Sequence, residues 1–454
     1  MLAAVACCTA VGNQEVNVFT TKLGGIHVPH RKNTAAQVPV RIPIPSVVRI
    51  STQMHIGAPA IPTVKPMDKV CVGTLIADNP DKLCSPIYSS VSGTVKKIEE
   101  VGSAQRTSTF IVIESDGNMT PDEAIAPPII ESCDDFIAAV RKSGIVGLGG
   151  AGFPTYAKIR VPSGKIDTVV VNGAECEPYI TSDTQTMQNE PEEVINGLKL
   201  LMKYIGIPRA VIGVEKNKPQ CISALKNVID TDAVTIKTLP SVYPQGGEKV
   251  LVYNTTGRII GEGKLPLDAG VIVINCTTLA AISKYVKTGM PLVEKCVTVD
   301  GSAIAEPKNV IAPIGTPVSA LCDFCGGFRS TPKKAFLGGP MMGMPITSFN
   351  EPIVKQTNAV VVLDEKEARI PSPTACIRCG KCYDTCPFGL MPFEIAKALE
   401  LKKPEQLEKL KVNLCMECGC CSYVCPANRE LVQQNKLAKS MLRDYQKEKG
   451  GAGK

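Results

Sequence analysis

The spacing of hydrophobic and polar positions divides the chain into a β-rich front, an α/β middle and a cysteine-rich end. Up to about residue 118, short apolar runs are separated by Pro, Gly and Asn or Asp turns, which is typical of a small sandwich or barrel. The proline-rich stretch Pro121–Pro128 then predicts a linker. The runs that predict strands in the front part are Val47–Ile50, Val70–Ile76, Thr94–Ile98 and Phe110–Ile113.

From Glu131 onward, helical periodicity alternates with continuous apolar runs, and this alternation indicates an α/β unit. Short strands return between Lys295 and about Pro345. The helices predicted in the α/β stretch are Asp134–Lys142, Glu190–Leu201, Gln220–Val228 and Leu279–Lys287. The buried strands predicted there are Ile166–Val171, Ala210–Val214 and Gly270–Ile274.

The last part of the chain, from Pro371, contains an internal repeat, because two cysteine motifs begin 39 residues apart at Cys376 and Cys415. Helices are predicted between the motifs, and the tail predicts a basic helix. The predicted bounds of these three helices are Pro392–Glu400, Pro404–Leu410 and Arg429–Lys447.

Composition limits the classes of protein that fit. At about 150 residues per domain, 454 residues predict roughly three domains. Hydrophobic residues at 44% and charged residues at 20% exclude global disorder. The net charge of +7 suits binding to an acidic partner. It is smaller than the positive charge typical of nucleic-acid-binding proteins, so no nucleic acid is expected as a partner. No apolar run reaches the ~18 residues of a membrane span, and Met1–Ala10 lacks the basic start of a secretory signal.

Cysteine is the unusual part of the composition, since nine of the twenty cysteines lie between Cys376 and Cys425. Both motifs have the spacing C-x2-C-x2-C-x3-C-P, in which three thiolates hold one iron–sulfur cubane and the fourth reaches the other cluster. This spacing assigns the first cluster to Cys376, Cys379, Cys382 and Cys425, and the second to Cys415, Cys418, Cys421 and Cys386. A pair of four-cysteine zinc sites is the alternative.

A glycine-rich loop, Gly147 to Thr155, satisfies the pattern G-x-G-x-x-G. A Rossmann fingerprint needs a strand before the loop, whereas a helix is predicted here, so that interpretation fails. Four glycines in nine residues still expose backbone N–H groups to a phosphate or a flat ring, and Lys158 can supply the counter-charge. A glycine-rich turn without a ligand is the alternative.

Three further loops follow predicted elements and combine small residues with a few polar groups. Each alone is typical of a surface turn, but ligand loops of α/β folds lie at the ends of buried strands. Together with the glycine-rich loop they predict an isoalloxazine pocket. The three loops are Asn172–Pro178, Tyr243–Glu248 and Asn275–Thr278.

These four loops, the doubled cysteine motif, the Gly-Gly-Ile-His lead and the Gly338–Gly343 stretch closely resemble the RnfC family, the C subunits of the Rnf ion-motive ferredoxin:NAD oxidoreductases. More distantly, the chain is similar to the 51-kDa subunit of respiratory complex I. The resemblance implies an α+β multidomain protein. Its units would be a barrel-sandwich hybrid (1–120), an α/β FMN- and NAD-binding domain (121–290), an SLBB β-grasp module (291–350), an α-helical two-cluster ferredoxin-like domain (366–430) and a basic C-terminal helix and tail (431–454).

The resemblance also implies which residues bind the cofactors. Gly247 stands where the 51-kDa subunit has one Glu of a Glu–Glu pair. Contacts to NAD(H) are implied for Phe153, Glu177, Glu248 and Lys264. Contacts to FMN are implied for Gly147, Gly149, Gly150, Lys158, Asn172, Glu175, Tyr243, Gly246, Glu248, Asn275, Thr277 and Thr278.

The implied function is electron transfer, with hydride exchanged between NAD(H) and FMN and single electrons exchanged with two [4Fe–4S] clusters. The implied partners are the membrane and iron–sulfur subunits of an ion-translocating complex, with ferredoxin acting indirectly. The implied location is the cytoplasmic face of the membrane, as a peripheral subunit. Two alternatives remain at this point: a soluble cobalamin reductase similar to the propanediol-utilisation corrin reductase, and a non-catalytic ferredoxin-like scaffold.

Overall fold

The computed structural model describes residues 23–103, 106–162 and 164–451. The start of the chain, Met1–Ala10 with Cys7 and Cys8, lies outside the described residues, and so do the last three residues of the predicted tail. Strands make up the front of the described chain, helices and strands mix in its middle, and helices fill its end.

The front unit is built from two small antiparallel sheets that enclose one apolar core. The sheets have the strand orders β2-β8-β7-β4 and β3-β5-β6. Ile50 of β2 pairs with Ile111 of β8, and both side chains are fully buried, so the alternating pattern directs one face of each strand inward. The strands are β1 (Val40–Arg41), β2 (Val47–Ser51), β3 (Ile61–Pro62), β4 (Lys69–Val70), β5 (Leu75–Asp78), β6 (Ile87–Tyr88), β7 (Gly93–Ser103) and β8 (Arg106–Ser115).

The second unit is a parallel sheet of order β11-β10-β9-β12 with helices packed against it. Its first helix starts at a capping box in which the Ser132 and Asp135 side chains bond to each other's backbone N–H. Its elements are α1 (Cys133–Lys142), α2 (Thr155–Ile159), β9 (Thr168–Gly173), α3 (Ser182–Asn189), α4 (Pro191–Ile205), β10 (Arg209–Glu215), α5 (Pro219–Val228), β11 (Val234–Leu239), α6 (Glu248–Thr256), a 3-10 turn (Pro266–Ala269), β12 (Val271–Asn275) and α7 (Cys276–Thr288).

The third unit contains a six-stranded sheet of order β1-β14-β13-β17-β15-β16. This sheet takes its edge strand β1 from the front of the chain and its strand β17 from beyond residue 350. One helix packs on it. The elements are β13 (Glu294–Asp300), β14 (Lys308–Pro313), α8 (Val318–Phe324), β15 (Lys334–Leu337), β16 (Met344–Ile346) and β17 (Ala359–Leu363).

The cysteine-rich unit is helical, and its apolar core includes Ile395, Leu407 and Leu442. No helix in the described part of the chain is both long enough and apolar enough to cross a membrane. The elements are α9 (Lys381–Asp384), α10 (Pro392–Glu400), α11 (Pro404–Lys409), a 3-10 turn (Val412–Leu414), α12 (Cys420–Tyr423) and α13 (Leu431–Gly451).

A lead segment, residues 23–37, runs across the second unit and joins it to the third and fourth. Ile26 and Tyr243 exchange two backbone hydrogen bonds of 2.8 and 2.9 Å. A Cβ atom added at Gly24 would lie 2.6 Å from the carbonyl oxygen of Cys386, so this close approach requires glycine. The segment thus contacts both the predicted flavin loops and a predicted cluster ligand.

Candidate flavin pocket and iron–sulfur sites

The glycine-rich loop lies between α1 and α2, on the N-terminal end of α7. The N–H of Leu148 donates to Thr278 Oγ1 at 3.0 Å. A Cβ atom at Gly149 would lie 2.4 Å from Nδ2 of Asn275, whereas one at Gly150 would meet no atom within 4 Å. One side of the loop is therefore packed against α7 and the other side is open. This arrangement fits a phosphate or ring that approaches the backbone closely.

The first turn of α7 is organised around a buried carboxylate, Asp183. Asn275 Nδ2 and Thr277 Oγ1 each donate to Asp183 at 2.7 Å, and Asn275 Oδ1 accepts from the N–H of Thr278 at 3.2 Å. Burial, followed by the charge of Glu175, raises the pKa of Asp183 to about 6. The side chains of Asn275 and Thr277 are thus held in place, and the helix N-terminus next to the glycines suits an anion.

Asn172 ties the second loop to the third. Its Nδ2 donates to the carbonyl of Gly246 at 3.1 Å, and its Oδ1 accepts from the N–H of Ala174 at 3.1 Å. In the sheet, Asn172 is directly opposite Asn275, at the carboxyl ends of neighbouring parallel strands. The predicted flavin loops therefore meet at one edge of the sheet, where ligands bind in open α/β folds.

Glu175 caps a helix. Its carboxylate accepts from the N–H groups of Asp183 and Thr184 at 2.8 and 3.2 Å and from Thr184 Oγ1 at 2.7 Å. These groups form the first turn of α3, so the carboxylate is turned toward that helix. The predicted contact of Glu175 with FMN remains a prediction, and its carboxylate is already hydrogen-bonded within the protein.

Glu177 connects the second unit to the Gly338–Gly343 stretch. Its carboxylate accepts from the N–H groups of Met341 and Met342 at 3.1 and 2.8 Å. A Cβ atom at Gly339 would lie 2.3 Å from Glu177 Oε2, so the glycine permits this approach. Burial raises the pKa of Glu177 to about 7.

Lys158 and Glu248 form an ion pair of 2.9 Å, and their side chains are 32% and 42% exposed. This pair brings the glycine-rich loop and the third loop together at the surface. Lys264 lies on an exposed turn, and in the described ranges no hydrogen bond or ion pair joins its side chain to another predicted cofactor residue. Its predicted contact with NAD(H) stays a prediction.

Sequence reasoning missed two lysines beneath the second loop, the half-buried Lys32 and the buried Lys218. Lys32 Nζ donates to the backbone carbonyls of Glu175 (2.8 Å), Glu177 (2.7 Å) and Ile180. Lys218 Nζ bonds to the carboxylate of Glu215 and, at 3.3 Å, to the same Glu175 carbonyl. Burial lowers the pKa of Lys32. The contact partners of Lys32 are more than 140 residues away in the chain, so no local pattern reveals the contact.

The eight motif cysteines surround two cavities. The sulfurs of the described cysteines form no disulfide. The first cavity is lined by Cys376, Cys379, Cys382 and Cys425. The second is lined by Cys386, Cys415, Cys418 and Cys421. The fourth cysteine of each motif therefore lies with the other motif's trio, which is the arrangement that the predicted crossover of ligands needs.

Each cavity is lined by four motif cysteines. In the part of the chain that the structure describes, no three His, Cys, Asp or Glu side chains lie close enough together to hold a single metal ion. A donor set of four cysteine thiolates, three from one motif and one from the other, fits an iron–sulfur cluster.

The two cavities differ in their surroundings. Cys376 and Cys379 of the first are exposed, whereas Cys418 and Cys421 of the second are 8% exposed. Cys420 is buried beside the second cavity, and its thiol lies 3.9 Å from the carbonyl of Tyr243. The first cavity thus has two exposed ligands, whereas the second has none.

The third flavin loop contacts the second cysteine motif directly. The Tyr243 hydroxyl, in a side chain that is 1% exposed, donates to the carbonyl of Cys418 at 2.7 Å. A Cβ atom at Gly247 would lie 2.3 Å from the methyl carbon of Met416. The hydroxyl of Tyr243 thus points toward the second cavity, and the predicted ring contact of Tyr243 with FMN stays a prediction.

Comparison with known families defines the class of protein. Residues 140–284 match the Nuo51 FMN-binding domain, 20–118 the RnfC barrel-sandwich hybrid domain, 296–345 the SLBB domain and 375–429 the 4Fe-4S dicluster domain. The predicted fold class and the FMN and [4Fe–4S] cofactors are confirmed, and the zinc alternative is set aside. The role of the glycine-rich loop in holding FMN stays a prediction. The chain is of the flavin and iron–sulfur oxidoreductase class.

Curated relatives identify the family. The C subunit of the sodium-translocating ferredoxin:NAD(+) oxidoreductase complex of Acetobacterium woodii is 43% identical over 381 residues, covering 82% of this chain and 86% of the relative. The proton-translocating counterpart of Clostridium ljungdahlii is 39% identical, covering 81% and 82%. The C subunit of the ion-translocating oxidoreductase complex of Rhodobacter capsulatus is 37% identical, covering 94% and 84%. The chain belongs to the RnfC family of Rnf complex subunits, as the resemblance predicted.

Solved structures share less with this chain. The NAD+-reducing [NiFe]-hydrogenase in its air-oxidised state is 21% identical with a TM-score of 0.49, covering 71% of this chain and 65% of that one. The same enzyme in its H2-reduced state is 20% identical with a TM-score of 0.48, covering 68% and 63%. This chain thus spans slightly less than two thirds of the hydrogenase chain.

Proposed function

We propose that this chain is the electron-transfer subunit that exchanges hydride with NAD(H) at FMN and single electrons through two [4Fe–4S] clusters, in an ion-translocating ferredoxin:NAD oxidoreductase. FMN supplies the chemistry that converts an electron pair into single electrons. The chain supplies backbone N–H groups at the glycine-rich loop, the helix N-terminus beside it, and eight thiolates. The names of the relatives favour this function over the cobalamin reductase.

One observation carries the proposal, namely the contact between the third flavin loop and the second cysteine motif. The Tyr243 hydroxyl donates a hydrogen bond to the carbonyl of Cys418, and Gly247 packs against Met416. The second cavity is therefore adjacent to the predicted flavin loops, while the first cavity is at the surface. We infer that the second cluster lies between the flavin and the first cluster, and that the first cluster is the surface terminus.

The partners and location follow from the same proposal. The relatives are named as subunits of complexes, so we propose that membrane and iron–sulfur subunits bind this chain and couple electron flow to ion movement. Ferredoxin exchanges electrons with it indirectly. NAD(H) binds at the flavin through Phe153, Glu177, Glu248 and Lys264. The chain is a peripheral subunit at the cytoplasmic face of the membrane.

Removing one cluster at a time tests the proposed order of electron transfer from the flavin through the second cluster to the first. In anaerobic protein, NADH should bleach the flavin of Cys415→Ser, which lacks a ligand of the second cluster, but the EPR signal of the first cluster should no longer develop. The matched variant Cys376→Ser should keep NADH-dependent reduction of the second cluster. If the first cluster of Cys415→Ser is still reduced at the wild-type rate, the order is wrong. If NADH does not bleach the wild-type flavin, the scaffold alternative replaces the proposed enzyme.

A further inference from the structure

We propose that the surface over the first cluster cavity is the docking site of an acidic iron–sulfur protein. This surface, called here the basic rim, consists of Ile377 surrounded by Arg378, Lys381 and Arg429. The inference rests on the proposed function only in assuming that the first cavity holds a cluster that exchanges electrons with a partner.

The charge of this surface distinguishes it from the lining of the second cavity. Every charged residue lining the first cavity is basic, whereas no charged residue lines the second. Arg429 is paired with Glu400 at 2.7 Å, but no salt bridge within the described ranges includes Arg378 or Lys381. Two cations of the basic rim are thus available to a partner.

The acidic residues near the basic rim do not cancel it. Asp384 and Glu430 are exposed and lie close to Lys381 and Arg429 in the chain, but neither lines the cavity. A partner that approaches the two exposed ligand cysteines therefore meets cations first. Such a field speeds association with an anionic surface and disfavours a cationic one.

The segment that carries the first two cluster ligands is exposed to solvent. Residues 371–379 are exposed without interruption, and Ile377, between the exposed Cys376 and Cys379, is 68% exposed. An apolar centre with a charged border is the usual composition of a protein–protein interface. A partner seated on Ile377 would lie directly over two ligands of the first cluster. That position suits a one-electron carrier better than any other kind of partner.

Equilibrium binding tests the proposal without relying on turnover. The cluster-loaded protein and its Arg378→Glu/Lys381→Glu variant are titrated at low and high salt with an acidic plant-type [2Fe–2S] ferredoxin. This ferredoxin is a probe that stands in for an acidic iron–sulfur partner and is not proposed as the partner itself. The control is Lys226→Glu/Lys237→Glu, which reverses two exposed lysines on α5 and β11. We expect the rim variant to bind roughly tenfold more weakly at low salt, with a much smaller salt dependence, and the control to match the wild type.

Two further probes decide between kinds of partner. The basic protein cytochrome c should bind the rim variant at least as well as the wild type. Vesicles of anionic lipid should bind wild type and variant alike; a loss confined to vesicles would assign the rim to a membrane surface and overturn the proposal. Equal ferredoxin affinity of rim variant and wild type would also overturn it. Because these titrations contain no NAD(H), their outcome is independent of flavin bleaching, which tests the proposed function.

Discussion

Replacing Lys32 with methionine should loosen the second flavin loop while leaving the fold intact. Methionine has nearly the length of lysine but no ammonium group. The three carbonyl groups of Glu175, Glu177 and Ile180 would lose a common donor. The Glu175 carbonyl keeps its contact with Lys218, so two carbonyls are left without this donor, each at a cost of about 1–3 kcal/mol where water does not reach it. Loss of the desolvated charge offsets part of this cost, so the net loss should be about 1–4 kcal/mol.

Lys218 still donates to the Glu175 carbonyl, so the loop should stay folded in the variant. The lost free energy should therefore appear as weaker FMN binding and not as unfolding of the protein. If even about 1.4 kcal/mol is coupled to the flavin, the dissociation constant of FMN rises tenfold. The assay is titration of flavin-free protein with FMN, followed by fluorescence, combined with hydrogen exchange of residues 175–180. Lys216→Met, at an exposed lysine near the end of the neighbouring strand, is the matched control and should behave as wild type.

The reasoning is refuted if Lys32→Met binds FMN as tightly as the wild type and its loop exchanges at the same rate. A variant that fails to fold would be recognised by loss of iron from both clusters. Lys32→Arg offers a second measurement, because it keeps a cation and several donors at the same place. It should recover part of the lost affinity if the carbonyl contacts are the cause.

Three more predictions concern other parts of the chain. Protein purified without oxygen should contain about eight iron atoms and eight sulfide ions per chain. Cys425→Ser should damage the cluster held by Cys376, Cys379 and Cys382, because Cys425 lines the same cavity. If only the EPR signal of the other cluster is lost, the ligands do not cross between the motifs. Gly149→Ala should lower thermal stability, because its Cβ meets Asn275 at 2.4 Å, whereas Gly150→Ala, with open space, should not; equal melting curves would disprove this reasoning. Burial lowers the pKa of His55 to about 4 from 6.5, so its contribution to stability is complete above pH 6.5 and is lost as pH falls toward 4. Between pH 7 and 5 this amounts to about 2 kcal/mol, and His55→Gln should remove that part of the pH dependence of unfolding; an unchanged slope would contradict the prediction.

The predictions that agree with the structure depend on patterns within short stretches of the sequence. Helix α10 has the predicted bounds Pro392–Glu400, and β10 contains the predicted run Ala210–Val214. Both have the periodicity that burial imposes on a single element. The cysteine spacing is equally local, since three ligands of each cavity lie within seven residues, as from Cys376 to Cys382.

Features that depend on distant parts of the chain were not predicted. Helix α3 is buried but polar, with Asp183, Thr184 and Gln185 all inside, so it has no apolar stripe from which to predict it. Its burial is possible because Glu175, from the preceding loop, satisfies the first N–H groups. Without α3, the carboxylate of Glu175 could only be interpreted as a ligand of the cofactor.

The two cysteine motifs have the same spacing, so the motifs alone cannot tell which cluster receives electrons from the flavin. Position in the fold makes the difference. Because Cys386 and Cys425 cross between the motifs, the two cavities are held side by side in one helical unit. The second motif is covered by Tyr243 and by the lead segment at Gly24, whereas the first motif is left at the surface with a basic rim. Two copies of one sequence motif thus lie in different surroundings, which is the basis of the proposed order of electron transfer.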